Sequence, residues 1–505
     1  MNIKEFIMPA IIALSLTVGI QYFFFNKKTE VVEGTKTGQS FVAPRTMGEA
    51  KPLNLEVNFS DAQASHSLVK TVVETPYAIL TFSEEGACLE QLSFKQHQHS
   101  APVLMPTITV NDQSTREDRC FLVALNTTTP YYYQLIDEQR SDEGTTLTYK
   151  AEADHGELQK KFFVYNNKHQ IDLTITVTPK TKNAVDLRVI YPSPYMPEIT
   201  KWDAYSALVV NDRNALEKTA YKKINTRSGW FAPAVFGAEN KYFIHAMVGD
   251  HNNFAQRAYY KLNRNTIISY LEGPAVQDQN SWTMSFYMGP KTDHAIAAVD
   301  PRLEGALEHS GWLAPLSRLL LYLLKLLHHY IHNYGLALIL LVVGIKLLLI
   351  PFSAGKQDRK KQEEYQKKLA YIRAKYKGDS EMLAREQTKL LREHGMPGMS
   401  SMMMGLIQLP LFIALNRVLA SSIELYKAPF LWIPDLSNYD PYYIIPLLIT
   451  LSFFVNALFA DSKQRMSLLV LGLILGALAS SWSAGLALFI LINVGINAIQ
   501  AAMQK

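Results

Sequence analysis

The run Gly335–Phe352, GLALILLVVGIKLLLIPF, limits the fold of this chain more than any other stretch. It is apolar and close to the roughly 20 residues that a bilayer-crossing helix needs. Near its end stands one charge, Lys346. A cation inside an apolar span costs about 2.5–3.5 kcal/mol on insertion scales. A lysine close to a helix end can snorkel, laying its stem along hydrocarbon and its ammonium among headgroups. The other solution is a polar cavity within the membrane, lined by several helices, with Lys346 as its charged member. The polar residues of the other apolar runs bear on that choice.

The chain has 505 residues, enough for several domains. Its hydrophobic content of 48% is ordinary because polar and apolar residues are segregated along it. The net charge of +5 is small for this length and gives no case for DNA. Cys88 and Cys120 both lie in the polar first half, with no CxxC and no Cys/His metal spacing. Outside the cytoplasm a disulfide between them is permitted and not implied. His97 and His99 share a face of one expected strand, yet no Cys, Asp or Glu follows at a matching spacing. No nucleophile, nucleotide loop or metal set appears, so neither catalysis nor a cofactor is expected.

Residues 1–28 read as an uncleaved transmembrane anchor, IMPAIIALSLTVGIQYFFF with Tyr22–Phe25 as an aromatic belt. Residues 29–58 read as a linker. Residues 59–295 have β texture, with alternating runs such as Ala78–Phe82, Thr145–Tyr149, Ile171–Val177 and Trp282–Met288. A row of such strands points to a large antiparallel sandwich. Residues 305–331 read as an interfacial amphipathic helix, with Arg318, Lys325, His329 and His332 on its water-facing stripe. Residues 332–352 form the Lys346 span.

Residues 353–400 are the most charged part of the chain, and basic. Tyr365, Leu369, Ile372 and Tyr376 follow a helical seam, Gly378 ends that helix, and Asp379 or Ser380 can cap a second one carrying Leu383 and Leu390. This is a helical hairpin, placed on the cytoplasmic side by its charge. Spans are expected at 401–422, 441–460, 465–482 and 484–503, with a loop at 423–440. Ser480-Ser481-Trp482-Ser483 breaks the last apolar stretch in two. With the anchor, this makes six spans, with both termini inside and the β domain outside.

Counted from their inner ends at about 1.5 Å per residue, the spans bring several polar residues to one depth. Lys346 and Gln408 lie roughly 10 Å in and Asn497 roughly 12 Å in, with Asn493 one turn deeper and Asn456 in the same half. Membrane-buried polar groups face protein or water. Interhelical hydrogen bonding alone accounts for the amides, but not for a cation with no intramembrane Asp or Glu to pair it. The pattern favours a hydrated pocket open to the cytoplasm.

Several stretches resemble the YidC membrane-protein insertase family of the Gram-negative type: GIKLLLIPFS, LIQLPLFIALNRVL, ELYKAPFLWIPDLSNYDPYYIIP and WSAGLALFILINVGINAIQ. YMGPKTDHAIAAVDPRLEGALEHSGWL resembles the family's junction between periplasmic domain and interfacial helix. The resemblance implies a polytopic α-helical membrane protein of six spans, with a five-helix core around a hydrophilic groove. It also implies a periplasmic β-supersandwich similar to galactose mutarotase folds. Lys346 stands where the family usually has arginine. Gln408 matches the groove glutamine, Asn493 and Asn497 match polar positions of the last span, and Asn416, which stands where an aromatic is common, is counted with them and Asn456 among the groove residues. The implied activity is insertion and folding of nascent membrane proteins in the bacterial inner membrane, alone or with the Sec translocon (SecYEG and SecDF). The basic hairpin suits the ribosome or anionic lipids. Two other classes fit parts of the chain: a small-solute or anion transporter using Lys346, and a membrane-anchored carbohydrate-binding domain.

Overall fold

The computed structural model describes residues 58–59, 69–98, 101–110, 114–115, 118–126, 128–153, 156–180, 185–196, 205–210, 215–226, 229–263, 266–307, 313–349, 356–394, 410–419, 422–460 and 462–503. The expected anchor at 1–28, nearly all of the 29–58 linker, His99 and Gln408 lie outside them. The described residues divide into two compact units, one lying before Gly311 and the other from Gly311 onward.

The first unit is β-rich. Among the described residues its strands form sheets of seven, nine and four strands. In the nine-stranded sheet, Asn280–Pro290 is central, pairing antiparallel with Gln170–Pro179 on one side and Phe243–Asp250 on the other. Alternation is visible in Gln170–Pro179, where every second residue is buried. Pairing is antiparallel throughout, except that Asn58–Phe59 runs parallel to Thr128–Thr129. One strand hidden from sequence reading is Ala101–Thr109, which carries Pro102 and Pro106. It sits at the edge of the four-stranded sheet, where a missing N–H is tolerated. An aromatic chain knits the sheets together. Phe82 packs 4.9 Å from Phe162, Phe121 lies 5.7 Å from Phe162 and 4.8 Å from Phe286, and Tyr191 lies 5.2 Å from Phe286.

At the centre of this core is a lysine. Lys160 is fully buried and donates to the carbonyls of Gly86 (2.6 Å), Ala87 (3.1 Å) and Phe121 (2.9 Å), with its ammonium 4.8 Å from the Tyr133 ring centre. Gly86, Ala87 and Phe121 all have positive φ. Such backbone persists where the surroundings over-determine it, and the three donors of one ammonium do so here. Cys88 and Cys120 are both buried and unpaired. Burial pushes the Cys88 thiol up to about 12, so it stays protonated and packs as a small apolar group.

The second unit is helical: α1 (Ala314–Ile331), α2 (Tyr334–Leu349), α3 (Lys356–Lys375), α4 (Ser380–His394), α5 (410–419), α6 (Ile444–Phe459), α7 (Ser462–Ala479) and α8 (Ala484–Met503). The side chains of α1 that face inward are Ser317, Leu320 and Leu324, at helical spacing. Lys325, expected on a water-facing stripe, is exposed and pairs with Glu424 at 2.5 Å. The α3–α4 hairpin forms as its pattern requires. Tyr365, Leu369, Ile372 and Tyr376 are half-buried, Leu390 is buried, and the Asp379 carboxylate caps α4 through the N–H groups of Glu381 and Met382.

Among the described residues no helix is both long and apolar enough to cross a membrane. Helices α2 and α6 are 16 residues each, about 24 Å, against a hydrocarbon thickness of about 30 Å. The expectation of six spans is therefore not established by these helices. Residues 350–352 and 401–409, which belong to two of those spans, lie outside the described set. Between α7 and α8 the break falls at Ser480–Ser483, where the Ser480 and Ser481 hydroxyls donate to the Ala477 and Leu478 carbonyls.

Helices α6 and α7 pack backbone to backbone. The Thr450 hydroxyl donates to Gly472 O at 3.3 Å, and a Cβ on Gly476 would collide with that hydroxyl. Gly476→Leu is expected to open this pair and cost about 1–3 kcal/mol by overpacking, read as a lower melting temperature in detergent. Lys160→Met is expected to destabilise the β unit by roughly 2–4 kcal/mol, because three buried carbonyls lose their donor. Burial holds the Lys160 ammonium down to about 7, from an ordinary 10.5. The unfolded chain then binds more protons between those values, so this residue's contribution to stability rises with pH from about 7 toward 10.5. Denaturation at pH 7 and pH 9 should show a gain in the parent protein that Lys160→Met lacks.

Candidate functional site

The loop 422–443 sets the level of the helices that carry the candidate residues. Its centre is Asp440, a carboxylate 3% exposed. One oxygen accepts from Trp432 Nε1 (3.2 Å) and the Tyr442 N–H (3.1 Å), the other from the Ile445 N–H (2.7 Å) at the start of α6. A carboxylate at a helix N-terminus also meets the positive end of the helix dipole. The same loop holds α8, whose Ala484 and Gly485 N–H groups donate to Asn438 O (2.6 Å) and Leu436 O (2.9 Å). It holds α2 as well, because the Phe430 ring lies directly against Gly335, where any side chain would displace it. The N-terminal ends of three helices are thus pinned to one loop.

Equal counts from those ends then mean equal depth. Lys346 comes twelve residues after Tyr334, Asn456 twelve after Ile444 and Asn497 thirteen after Ala484, so all three lie about 18–20 Å below the loop. Lys346 Nζ donates to Asn497 Oδ1 at 3.0 Å, joining α2 to α8. Asn456 Nδ2 donates to Ser452 O (2.8 Å) within α6 and to Val494 O (3.4 Å) on α8. Asn493, one turn nearer the loop than Asn497, donates to Phe489 O in its own helix at 2.9 Å. Lys346 and Asn456 are half-buried and Asn497 is exposed, so the cluster is open on one side.

Asn416 is not part of this cluster. Helix α5 runs toward the loop, and Leu419 approaches Gly485 at the head of α8. Asn416 therefore sits one turn below the loop, far from the level of Lys346. Gln408 lies outside the described residues. What sequence reading missed is Asp440. Its role could be sought in the spacing of Trp432, Asp440 and the start of an apolar helix, but a loop acid reads as solvated until its three donors are seen.

The arrangement holds one ammonium among amides and carbonyls, with no carboxylate bonded to it among the described residues. It offers an anion-attracting point at the base of three helices and carries no group placed for bond-making.

Residues 326–505 match the family model described as 60Kd inner membrane protein, and residues 70–323 match the YidC periplasmic domain model. The membrane protein insertase YidC of Geobacter metallireducens is 24% identical over 98% of this chain and 97% of its own length. That of Geotalea uraniireducens is 27% identical over 96% of both. Among solved structures, an active YidC insertase crystal structure with its first transmembrane domain resolved aligns with a TM-score of 0.34 at 16% identity, covering 87% of this chain and 93% of that one. A galactose mutarotase related enzyme from Lactobacillus acidophilus covers 45% of this chain and 99% of its own, with a TM-score of 0.29 and 9% identity.

Loss of the interhelical bond is measurable. Asn497→Leu is expected to lower the stability of the detergent-solubilised protein by about 1.5–3 kcal/mol, the range for a hydrogen bond to a charged group, with Asn497→Gln recovering part of it.

Proposed function

The chain belongs to the YidC membrane-protein insertase family, and from that premise we propose that it inserts nascent membrane proteins through a wet groove built around Lys346. The observation that carries this reading is the meeting of Lys346, Asn497 and Asn456 at one depth below a common loop. The chain is an inner-membrane protein with a periplasmic domain and does no covalent chemistry.

A polar segment crossing hydrocarbon meets a steep cost, since its backbone groups lose water with no partner to replace it. Polar groups reaching partway through the bilayer shorten that path. Lys346 attracts acidic residues of a client's short outer segment while its bond to Asn497 keeps the ammonium at a fixed level. The membrane potential then adds about 2.3 kcal/mol per negative charge per 100 mV, drawing an acidic tail outward. The client's apolar helix leaves sideways into lipid. In this reading there are six spans with both termini in the cytoplasm. The groove opens inward, and Gln408 joins Lys346, Asn456, Asn493 and Asn497 in lining it. The basic hairpin α3–α4 meets anionic lipid headgroups or the ribosome, and the Sec translocon shares part of the clients.

Reconstitution into proteoliposomes with a short-tailed client tests it. Lys346→Arg should retain insertion, since guanidinium preserves the charge. Lys346→Ala should lose about tenfold in rate, equivalent to about 1.4 kcal/mol. Equal activity of Ala and parent proteins would show that the charge is incidental.

A further inference from the structure

The loop 422–443 also carries an exposed apolar patch that the groove does not use. Phe430 and Ile433 exchange both backbone hydrogen bonds at 2.8 Å, which leaves Leu431 and Trp432 at the tip of a two-residue turn. Leu431 has φ +52°, a left-handed conformation that costs a leucine energy, and it is 75% exposed. Near it are Tyr439, Tyr442 and Tyr443, with exposures of 52%, 68% and 54%. Trp432 and Tyr442 share one oxygen of Asp440, so the turn tip is tied to the head of α6.

Two observations identify what covers this patch. First, Tyr443 stands one turn ahead of Leu447, and Leu451, Val455 and Leu458 continue outward-facing down α6 at helical spacing, 36–68% exposed. The patch is the upper end of an aliphatic stripe, and tyrosines at such an end occupy the level where hydrocarbon gives way to headgroups. Second, the only charged residues in 429–443 are Asp435 and Asp440, and both carboxylates are engaged by N–H groups of the loop. A neutral surface of leucine and tyrosines suits the acyl–headgroup boundary rather than a charged partner.

We infer that the 429–443 segment of this loop is seated in the lipid interface, with Leu431 as a wedge among acyl chains and Tyr439, Tyr442 and Tyr443 at the headgroup level. This rests on reading α6 as a membrane span. Because that loop pins three helix ends, its seat sets how deep the Lys346 level lies in the bilayer.

Cys88 and Cys120 are buried, so Leu431→Cys places a single accessible thiol for a spin label. The full chain, in vesicles of phosphatidylethanolamine and phosphatidylglycerol, is probed by collision with oxygen and with a water-soluble nickel chelate. Tyr442→Cys is a second reporter of the patch, Leu451→Cys reports on the α6 stripe, and Asp142→Cys at an exposed turn of the β unit is the aqueous reference. The expected oxygen-to-nickel ratio at 431 and 442 is several-fold above that at 142 and close to that at 451. A nickel-dominated signal at 431 and 442 with an oxygen-dominated one at 451 overturns the lipid seat while sparing the span. Nickel dominance at 451 as well removes the span reading. Shielding of 431 from both reagents also overturns the proposal, since a protein partner would then cover it.

Discussion

Asp440 is the interaction on which the helical unit depends. Its carboxylate is buried and accepts from three N–H groups, one each from the Trp432 side chain, the Tyr442 backbone and the first turn of α6. A buried carboxylate survives only when its oxygens are satisfied. Once they are, the loop has one shape, and that shape presents Phe430 to α2 and the Leu436 and Asn438 carbonyls to α8. The cluster around Lys346 follows from counting down three helices that start together.

The two units solve the problem of a buried lysine differently. Lys160 is enclosed by three carbonyls and holds three left-handed residues in place, which is a structural task. Lys346 has an amide at 3.0 Å and an open side. An ammonium with donor capacity to spare can attract an incoming anion; one whose three donors are filled cannot. The same residue type is thus enclosed in one unit and left partly open in the other.

The helical pieces also divide by what they bury. Helices α6 and α7 approach through Gly472 and Gly476, close enough for a Thr450 hydroxyl to reach the opposite backbone. Small residues at a helix interface allow two backbones to approach this closely. The opposite face of α6 is the exposed aliphatic stripe. One helix therefore shows three environments: a tight partner, a polar contact to α8 through Asn456, and an outward apolar surface.

Much of this was legible in residue order. Alternation marked strands such as Gln170–Pro179, a four-and-three seam marked α3, and Ser480–Ser483 marked the break before α8, because those patterns are local consequences of period and breaker chemistry. Lys346 stood out because a charge in an apolar run is costly wherever it sits. Residue order did not place Ala101–Thr109, whose prolines are acceptable only at a sheet edge, nor tell that Asn416 belongs near the loop rather than with Lys346 and Asn456. It placed Lys325 toward water, where it is, but did not supply Glu424 as its partner. Those decisions depend on which segments meet, and contacts such as Lys346 with Asn497, far apart in the chain, exist only once the loop has brought the helix ends to one level.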